Sequence, residues 1–173
     1  VDDGAVVGAR TADSLVEADA VVVAGGAWSP AFADQLGHAL PVEPERGQIA
    51  HLDVDGPTGE WPMVKAFRGH YLVPWPDGRV VAGATRERGA GFDPTATVAG
   101  VHEVLDEAVR IAPGLSTAGL AEVRVGLRPT SRDRLPILGG IPEVDGAFVA
   151  TGHGATGLQL GPYSGRCVAA LVA

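Results

Sequence analysis

The sequence predicts a mixed fold of the α/β (α+β) class, and three stretches of the chain carry that prediction. Residues 19–26 form a continuous β-branched run that ends in two glycines, which is typical of a strand buried in a parallel sheet. Residues 70–74 and 79–84 predict an antiparallel hairpin, because Pro76-Asp77-Gly78 between them has strong turn chemistry. Residues 147–171 have the order of strand, glycine-rich turn and helix. We therefore expect an antiparallel section inserted into, or packed beside, an α/β half.

The remaining elements are predicted from local patterns. Residues 97–112 give the clearest helix, which Pro113-Gly114 ends. Apolar residues recur there at helical spacing, and we expect them to form its buried face: Val98, Val101, Leu105, Ala108 and Ala112. Residues 46–53 and 120–127 suit extended strands, and residues 5–16 suit a short hairpin or a strand end.

Composition excludes several classes of function. The net charge of −8 and the scattered Lys and Arg argue against binding to nucleic acid. The single cysteine, Cys167, excludes an internal disulfide and a multi-cysteine metal site, and the histidines lack metal-type spacing. No apolar run approaches the ~20 residues that span a membrane. The chain begins at Val1, inside what can be a strand, so we expect a fragment or a processed chain. We also expect a cytoplasmic location.

The final glycine-rich turn, residues 151–154, is the strongest candidate for a binding site. The Thr156 side chain can cap the helix that follows, and Gly157, Gly161 and Gly165 form one stripe along it. A helix start behind such a turn offers free N–H groups to an anion or to the electron-rich edge of a ring. A packed helix with a tight turn and no ligand explains the same residues equally well.

Three single residues and one short segment are further candidates for binding. Arg128 follows a strand and precedes Pro129, where a guanidinium can bind a carboxylate through two hydrogen bonds; a surface ion pair is the alternative. Tyr71 can line a pocket or be a half-buried strand aromatic. His153 can donate, titrate or be satisfied by local backbone. Arg46-Gly47-Gln48 is a possible ligand edge.

Five segments together resemble the C-terminal half of the FAD-dependent D-amino-acid oxidase family, which includes glycine oxidase and the D-amino-acid dehydrogenases. They occur in the family's order and cover nearly the whole chain: A-D-A-V-V-V-A-G-G-A-W-S (18–29), E-R-G-Q (45–48), H-Y-L-V-P-W-P-D-G-R-V-V-A-G-A-T (70–85), G-L-R-P-T-S-R-D-R-L-P-I-L-G (126–139) and G-H-G-A-T-G-L-Q-L-G-P-Y-S-G (152–165).

The resemblance implies a Rossmann-type FAD-binding domain and an antiparallel-sheet substrate domain. We expect residues 1–44 and 126–173 to belong to the first and residues 45–125 to the second. Arg128 and Tyr71 are then the expected substrate-binding residues, with no catalytic acid–base residue and no metal ligand. The expected cofactor-binding residues are Gly25, Gly47, Gln48, His153, Gly154, Ala155, Thr156, Gly157, Leu158 and Gln159.

The chain also departs from the family's pattern. The G-x-G-x-x-G fingerprint that holds the FAD pyrophosphate is absent, so we expect a partner in a missing N-terminal half of the FAD domain. FAD can itself be absent from such a fragment. Ala155 stands where glycine oxidases often carry a second arginine, which weakens a strict glycine-oxidase assignment. Cys167 lies in the last helix rather than near the Pro-rich segment, so we expect non-covalent FAD.

The predicted function is oxidative deamination of a D-amino acid, glycine or a related amine by hydride transfer to the flavin. The expected partner is thus a small-molecule amino acid or amine. The alternative, from another class, is a non-catalytic binding or assembly piece that kept a flavoprotein-like fold.

Overall fold

The computed structural model describes all residues from Val1 to Ala173. It contains ten strands and three α-helices, with 3₁₀ turns at Gly26–Phe32, Pro113–Thr117 and Gly154–Thr156. The elements are β1 (Gly8–Arg10), β2 (Leu15–Glu17), β3 (Val21–Val23), α1 (Ala33–Leu36), β4 (Val42–Asp53), β5 (Val64–Lys65), β6 (Tyr71–Pro74), β7 (Arg79–Gly83), α2 (Val98–Ile111), β8 (Gly119–Ser131), β9 (Ile137–Gly140), β10 (Ala147–Thr151) and α3 (Gly157–Val172). The mixed fold class is therefore confirmed. None of the helices has the length and apolarity needed to cross a bilayer.

The chain divides into two compact units. Unit 1 comprises Val1–Pro44 and Arg128–Ala173, and unit 2 comprises Glu45–Leu127. The boundaries fall within β4 and within β8, so both long strands contribute residues to each unit.

Unit 1 is built on a three-stranded sheet in the order β3-β10-β9. β3 runs parallel to β10, while β9 is antiparallel to it, and α3 contacts both β9 and β10. The parallel strand predicted at residues 19–26 is thus present, but it is not buried on both faces, because Val22 is 40% exposed. Val22 alternates with the buried Val23, so it lies on the opposite face of the sheet, which is the more exposed face at β3. The core of unit 1 consists of Val23, Leu36, Leu40, Ile141, Ala147 and Val149.

Unit 2 is built on a five-stranded sheet in the order β5-β6-β7-β4-β8, with α2 on one face. The predicted hairpin is confirmed as β6 and β7, and Gly78 in its turn has a φ of +88°, a conformation that favours glycine. The core between sheet and helix consists of Ala50, Leu52, Leu72, Val80, Ala82, Val104, Ala108 and Leu115.

Helix α2 begins where the sequence indicates, but its predicted buried face is partly wrong. Thr97 is the N-cap, and its hydroxyl accepts a hydrogen bond from the Gly100 N–H at 3.1 Å. Val104 and Ala108 face the core, whereas Val98 is 89% exposed. Gly100 in the same turn is buried, and Val98, two residues earlier, lies on the other side of the helix and points away from the sheet.

The two faces of the unit 2 sheet differ in chemistry. Successive side chains of a strand point to opposite faces of the sheet. The residues between those that face α2 therefore point away from the helix. We call this second surface the Tyr71 face and define it by Tyr71, Gly83, Ile49, Val81 and His51. Tyr71 pairs with Gly83, which pairs with Ile49, and Val81 pairs with His51 in the next row.

Candidate functional site

The turn after β10 is anchored by two neighbouring elements of unit 1. Gly152 and Gly154 have φ values of +78° and +54°, which glycine adopts without strain. Between them, His153 forms an antiparallel bridge with Thr130 of β8. The His153 ring nitrogen Nε2 lies 2.9 Å from Oγ of Ser164, a buried residue of α3. His153 is therefore satisfied by a side chain eleven positions away, and the turn is tied to both β8 and α3.

The start of α3 is open, contrary to the expectation that the Thr156 side chain caps it. Thr156 is the N-cap residue, but its side chain makes no capping bond. Its hydroxyl instead donates to the His153 carbonyl oxygen at 2.8 Å. Ala155, Leu158 and Gln159 are exposed at this end of the helix. The first-turn N–H groups therefore keep their capacity to bind an external acceptor, together with the positive end of the helix dipole.

The glycine stripe of α3 makes no close contacts within the chain. A Cβ at Gly161 or Gly165 would meet no atom within 4 Å, and one at Gly157 would lie 3.6 Å from the His153 Cβ. The expected close approach of another backbone is thus not made inside this chain.

The carboxyl ends of the parallel strands β3 and β10 meet at one edge of the unit 1 sheet. The Ser29 hydroxyl donates to Thr151 Oγ1 at 3.0 Å, and the Thr151 hydroxyl donates to the Gly26 carbonyl at 2.9 Å. Gly25 lies in this tight turn, where an added Cβ would be 3.2 Å from the Ser29 backbone nitrogen. This edge is where open α/β sheets bind ligands. Sequence reasoning did not pair Ser29 with Thr151, because their contact spans 122 positions.

Arg128 lies inside β8 rather than after a strand, because β8 continues to Ser131. It is half-buried and stands two residues before Thr130, the partner of His153. Two residues of strand span about 7 Å, and alternate side chains share a face. Arg128 is therefore at the same end of unit 1 as the glycine turn and points to the same side of β8 as Thr130.

Tyr71 lies in the centre of the Tyr71 face of unit 2. Its ring covers Gly83 so closely that a Cβ there would be 2.5 Å from the Tyr71 oxygen. The residue is half-buried, and its hydroxyl makes no hydrogen bond within the chain. Gly83 thus provides the space in which the phenol lies flat, with its polar end available to a ligand.

Gln48 has no side-chain donor left for a ligand. The side chain is fully buried; Nε2 donates to Glu87 Oε1 at 2.7 Å and to Thr97 Oγ1 at 2.9 Å, while Oε1 accepts from the Thr97 N–H at 2.9 Å. Its backbone N–H donates to the Thr85 hydroxyl at 2.9 Å. The amide therefore fixes the start of α2 to β4. Gly47, its neighbour, is buried in the same strand.

Glu87 is the charged centre of this network. It accepts hydrogen bonds from Arg46 at 2.8 Å and 3.0 Å, from Gln48 at 2.7 Å and from Thr85 at 2.5 Å. Burial raises the pKa of Glu87, but the hydrogen bonds from Thr85, Gln48 and Arg46 outweigh burial, so the pKa lies below its ordinary value. Arg46 also binds Asp93 at 2.9 Å. The arginine of the predicted ligand edge is thus used inside the protein.

His51 is a polar residue to which the sequence assigned no binding role. It is 5% exposed, and neither ring nitrogen has a hydrogen-bond partner. It lies on the Tyr71 face, one row from Tyr71. Buried polar groups are normally hydrogen-bonded, so the unpaired His51 ring is an uncommon feature. The position of His51 in a strand does not by itself predict it.

Comparison with known proteins identifies the family of the chain. The family model described as "DAO: FAD dependent oxidoreductase" matches residues 1–171. The chain is 42% identical to oxidoreductase YurR of Bacillus subtilis over 99% of its own length and 46% of the relative's. It is 36% identical to glycine oxidase of Pseudomonas putida, over 94% of its length and 44% of the relative's. The crystal structure of iminodiacetate oxidase from Chelativorans sp. BNC1 superposes with a TM-score of 0.89 at 42% identity, covering 93% of this chain and 44% of that one. The chain spans about half the length of these relatives. It belongs to the DAO family of FAD-dependent oxidoreductases.

Proposed function

We propose that this chain is the C-terminal part of a flavoenzyme that oxidises the carbon–nitrogen bond of glycine, a D-amino acid or an N-substituted glycine. The observation that carries the proposal is the Thr130–His153 bridge. It brings the strand that holds Arg128 beside an uncapped helix start. A fixed cation and an open set of N–H groups are what a carboxylate substrate and an electron-rich ring require.

The residues of the final turn fit a flavin. Gly152 and Gly154 let the backbone turn without side chains in the way, and the first turn of α3 has no capping side chain. Residues His153–Gln159 would hold the ring edge through backbone N–H groups, and the helix dipole would favour negative charge there. FAD, when bound, supplies the two-electron acceptor. The pyrophosphate site would come from the part of the protein that precedes this chain, as in the family's G-x-G-x-x-G segment.

The reaction removes a hydride from the substrate α-carbon and a proton from its nitrogen, and water hydrolyses the imine to an oxo acid and an amine or ammonia. Arg128 orients the substrate by gripping its carboxylate with a planar guanidinium. For unit 2, we propose that the free Tyr71 hydroxyl donates a hydrogen bond to the substrate. The names of the relatives, glycine oxidase and iminodiacetate oxidase, support small glycine-type amines as substrates.

The test is Arg128→Ala in the complete, flavin-loaded protein. A charge-assisted hydrogen bond is worth about 1.5–3 kcal/mol, so kcat/KM for glycine or N-methylglycine should fall about 10- to 150-fold, chiefly through KM. Arg124→Ala is the matched control, because Arg124 lies on the same strand, is 55% exposed and pairs with Glu122 at 2.7 Å. Flavin content is followed by absorbance in all three proteins. A change below threefold in Arg128→Ala, with flavin retained, would remove Arg128 from the site.

A further inference from the structure

A cavity of about 750 Å³ lies within unit 1, and none of the residues proposed above to bind substrate or flavin lines it. Small-molecule sites in proteins typically measure about 300–1,000 Å³. The lining comes from the segment between α1 and β4 (38–41), the turn after β8 (131–133), β9 with the two residues that follow it (137–142), and Val149 of β10. We call it the β9 cavity.

The floor of the β9 cavity is apolar and is part of the core of unit 1. Leu40, Ile141 and Val149 line the cavity, and all three are buried members of that core. The half-buried Ile137 adds to this surface. The core therefore reaches the cavity with apolar side chains, a surface that suits an aliphatic or aromatic group.

The turn after β8 supplies the only fixed charges of the lining. Arg132 and Asp133 occupy the two central positions of this turn, which closes when the Arg134 N–H donates to the Ser131 carbonyl oxygen at 3.2 Å. No other arginine, lysine or acid lines the cavity. The cavity thus presents one cation and one anion on adjacent residues.

Asp133 is held in place through one of its two oxygens. Oδ1 accepts a hydrogen bond from the Leu135 N–H at 3.0 Å and another from the hydroxyl of the buried Ser131 at 3.2 Å. The bond from Leu135, with that from Ser131, outweighs burial and lowers the pKa of Asp133, so the carboxylate is ionised at neutral pH. Oδ2 accepts no hydrogen bond from another residue and is available to a donor on a ligand.

Arg132 is the unused cation of this turn. It is exposed and makes no hydrogen bond or ion pair within the chain. A guanidinium carries five N–H donors, and a carboxylate can accept two of them in parallel. Arg132 is therefore a free carboxylate-binding group beside an apolar floor.

The two charges decide which class of ligand fits. Asp133 would repel a simple carboxylate, and Arg132 would repel a simple amine, whereas a zwitterion satisfies both. We propose that the β9 cavity binds a free amino acid with an apolar side chain. Its carboxylate is bound by Arg132, its ammonium group by Asp133 Oδ2, and its side chain by the apolar floor. The inference goes beyond the proposed function and does not depend on it, because the two sites share no residue.

The test compares L-leucine with two analogues that each lack one charge: isocaproate, which has no ammonium group, and isoamylamine, which has no carboxylate. Dissociation constants are measured by calorimetry on the complete, flavin-loaded protein. We expect L-leucine to bind about 3- to 10-fold more tightly than either analogue. The preference is modest for charge-assisted contacts because Arg132 is exposed and solvent screens its charge.

Two variants should remove the two preferences separately. In Arg132→Gln the preference for L-leucine over isoamylamine should disappear, while the preference over isocaproate should remain. In Asp133→Asn the pattern should be reversed, and the amide oxygen can still accept the Leu135 N–H that shapes the turn. Arg134→Gln is the matched control, because Arg134 is also exposed and lies two positions away but does not line the cavity. Urea midpoints report whether each variant is folded; if Asp133→Asn unfolds, Arg132→Gln alone decides.

Three results would overturn the proposal: no saturable binding of L-leucine, equal affinities for all three compounds, or an equal loss of affinity in Arg134→Gln. Arg128→Ala separates this cavity from the proposed substrate site. Binding of L-leucine that is lost in Arg128→Ala but kept in Arg132→Gln would assign the ligand to the substrate site, and only this inference would fail. If the two separate losses of preference are found but no amine reduces the flavin, the proposed function fails instead.

Discussion

Replacing Gly100 by alanine sets two effects of opposite sign against each other. Gly100 is buried in the first turn of α2, directly against the Gln48 side chain. A Cβ added there would lie 2.5 Å from the Gln48 Cδ and 2.8 Å from its Oε1. Gln48 is fully buried and held by Glu87 and Thr97, so its amide can move aside only by leaving those partners.

The change in the free energy of unfolding can be estimated from the hydrogen bonds that Gln48 would lose. The Gln48 hydrogen bond to the charged Glu87 is worth about 1.5–3 kcal/mol, and a neutral one to Thr97 about 0.5–1.5 kcal/mol. Alanine in a helix interior gains about 1 kcal/mol over glycine. The sum predicts that Gly100→Ala lowers the free energy of unfolding by about 1–3.5 kcal/mol, although helix propensity alone predicts a gain.

The assay is urea unfolding of the complete protein followed by far-ultraviolet circular dichroism. Ala99→Gly, at the exposed neighbouring position, calibrates the propensity effect in the same turn and should cost about 1 kcal/mol. If Gly100→Ala is as stable as the wild type or more stable, the buried amide does not hold α2 to β4, and the account of the Arg46–Glu87–Gln48 network is wrong.

Two further predictions follow from the same contacts. The folded-state pKa of Glu87 is lowered, so its contribution to stability is complete above the ordinary glutamate pKa of about 4.3 and is lost as pH falls through the lower folded value. The urea midpoint should therefore fall less steeply below pH 5 in Glu87→Gln than in the wild type. An equally steep fall of the midpoint in both proteins would contradict this. Ser164→Ala removes the partner of His153 Nε2, so FAD should bind about 2- to 10-fold more weakly in a fluorescence titration, whereas unaltered affinity would mean that this contact does not support the flavin turn.

Local chemistry made much of the fold predictable. The hairpin of β6 and β7 follows from its turn residues, and α2 begins at Thr97 because a threonine caps the first turn. The family itself was recognisable from five short segments, each of which is continuous in sequence. These features depend on neighbours within a few positions, so a pattern in the chain suffices to identify them.

The direction in which side chains point was less predictable. Val98 was expected on the buried face of α2 but is exposed, because it lies on the side of the helix opposite the buried Gly100. Gln48 was expected at a cofactor, and its amide bonds instead to residues 39 and 49 positions away. Helical period and strand alternation define faces, but only the packed partner decides which face is covered.

The sequence by itself determined the elements, their order and the family, since turn chemistry, capping and short motifs act over a few residues. Only the tertiary structure decided that Arg86 and Arg88 meet Glu45 across about forty positions, that His51 is buried without a partner, and that Thr130 bridges to His153. The physical reason is that these contacts depend on strand register and on which face each strand turns to its neighbour, and long-range pairing fixes both.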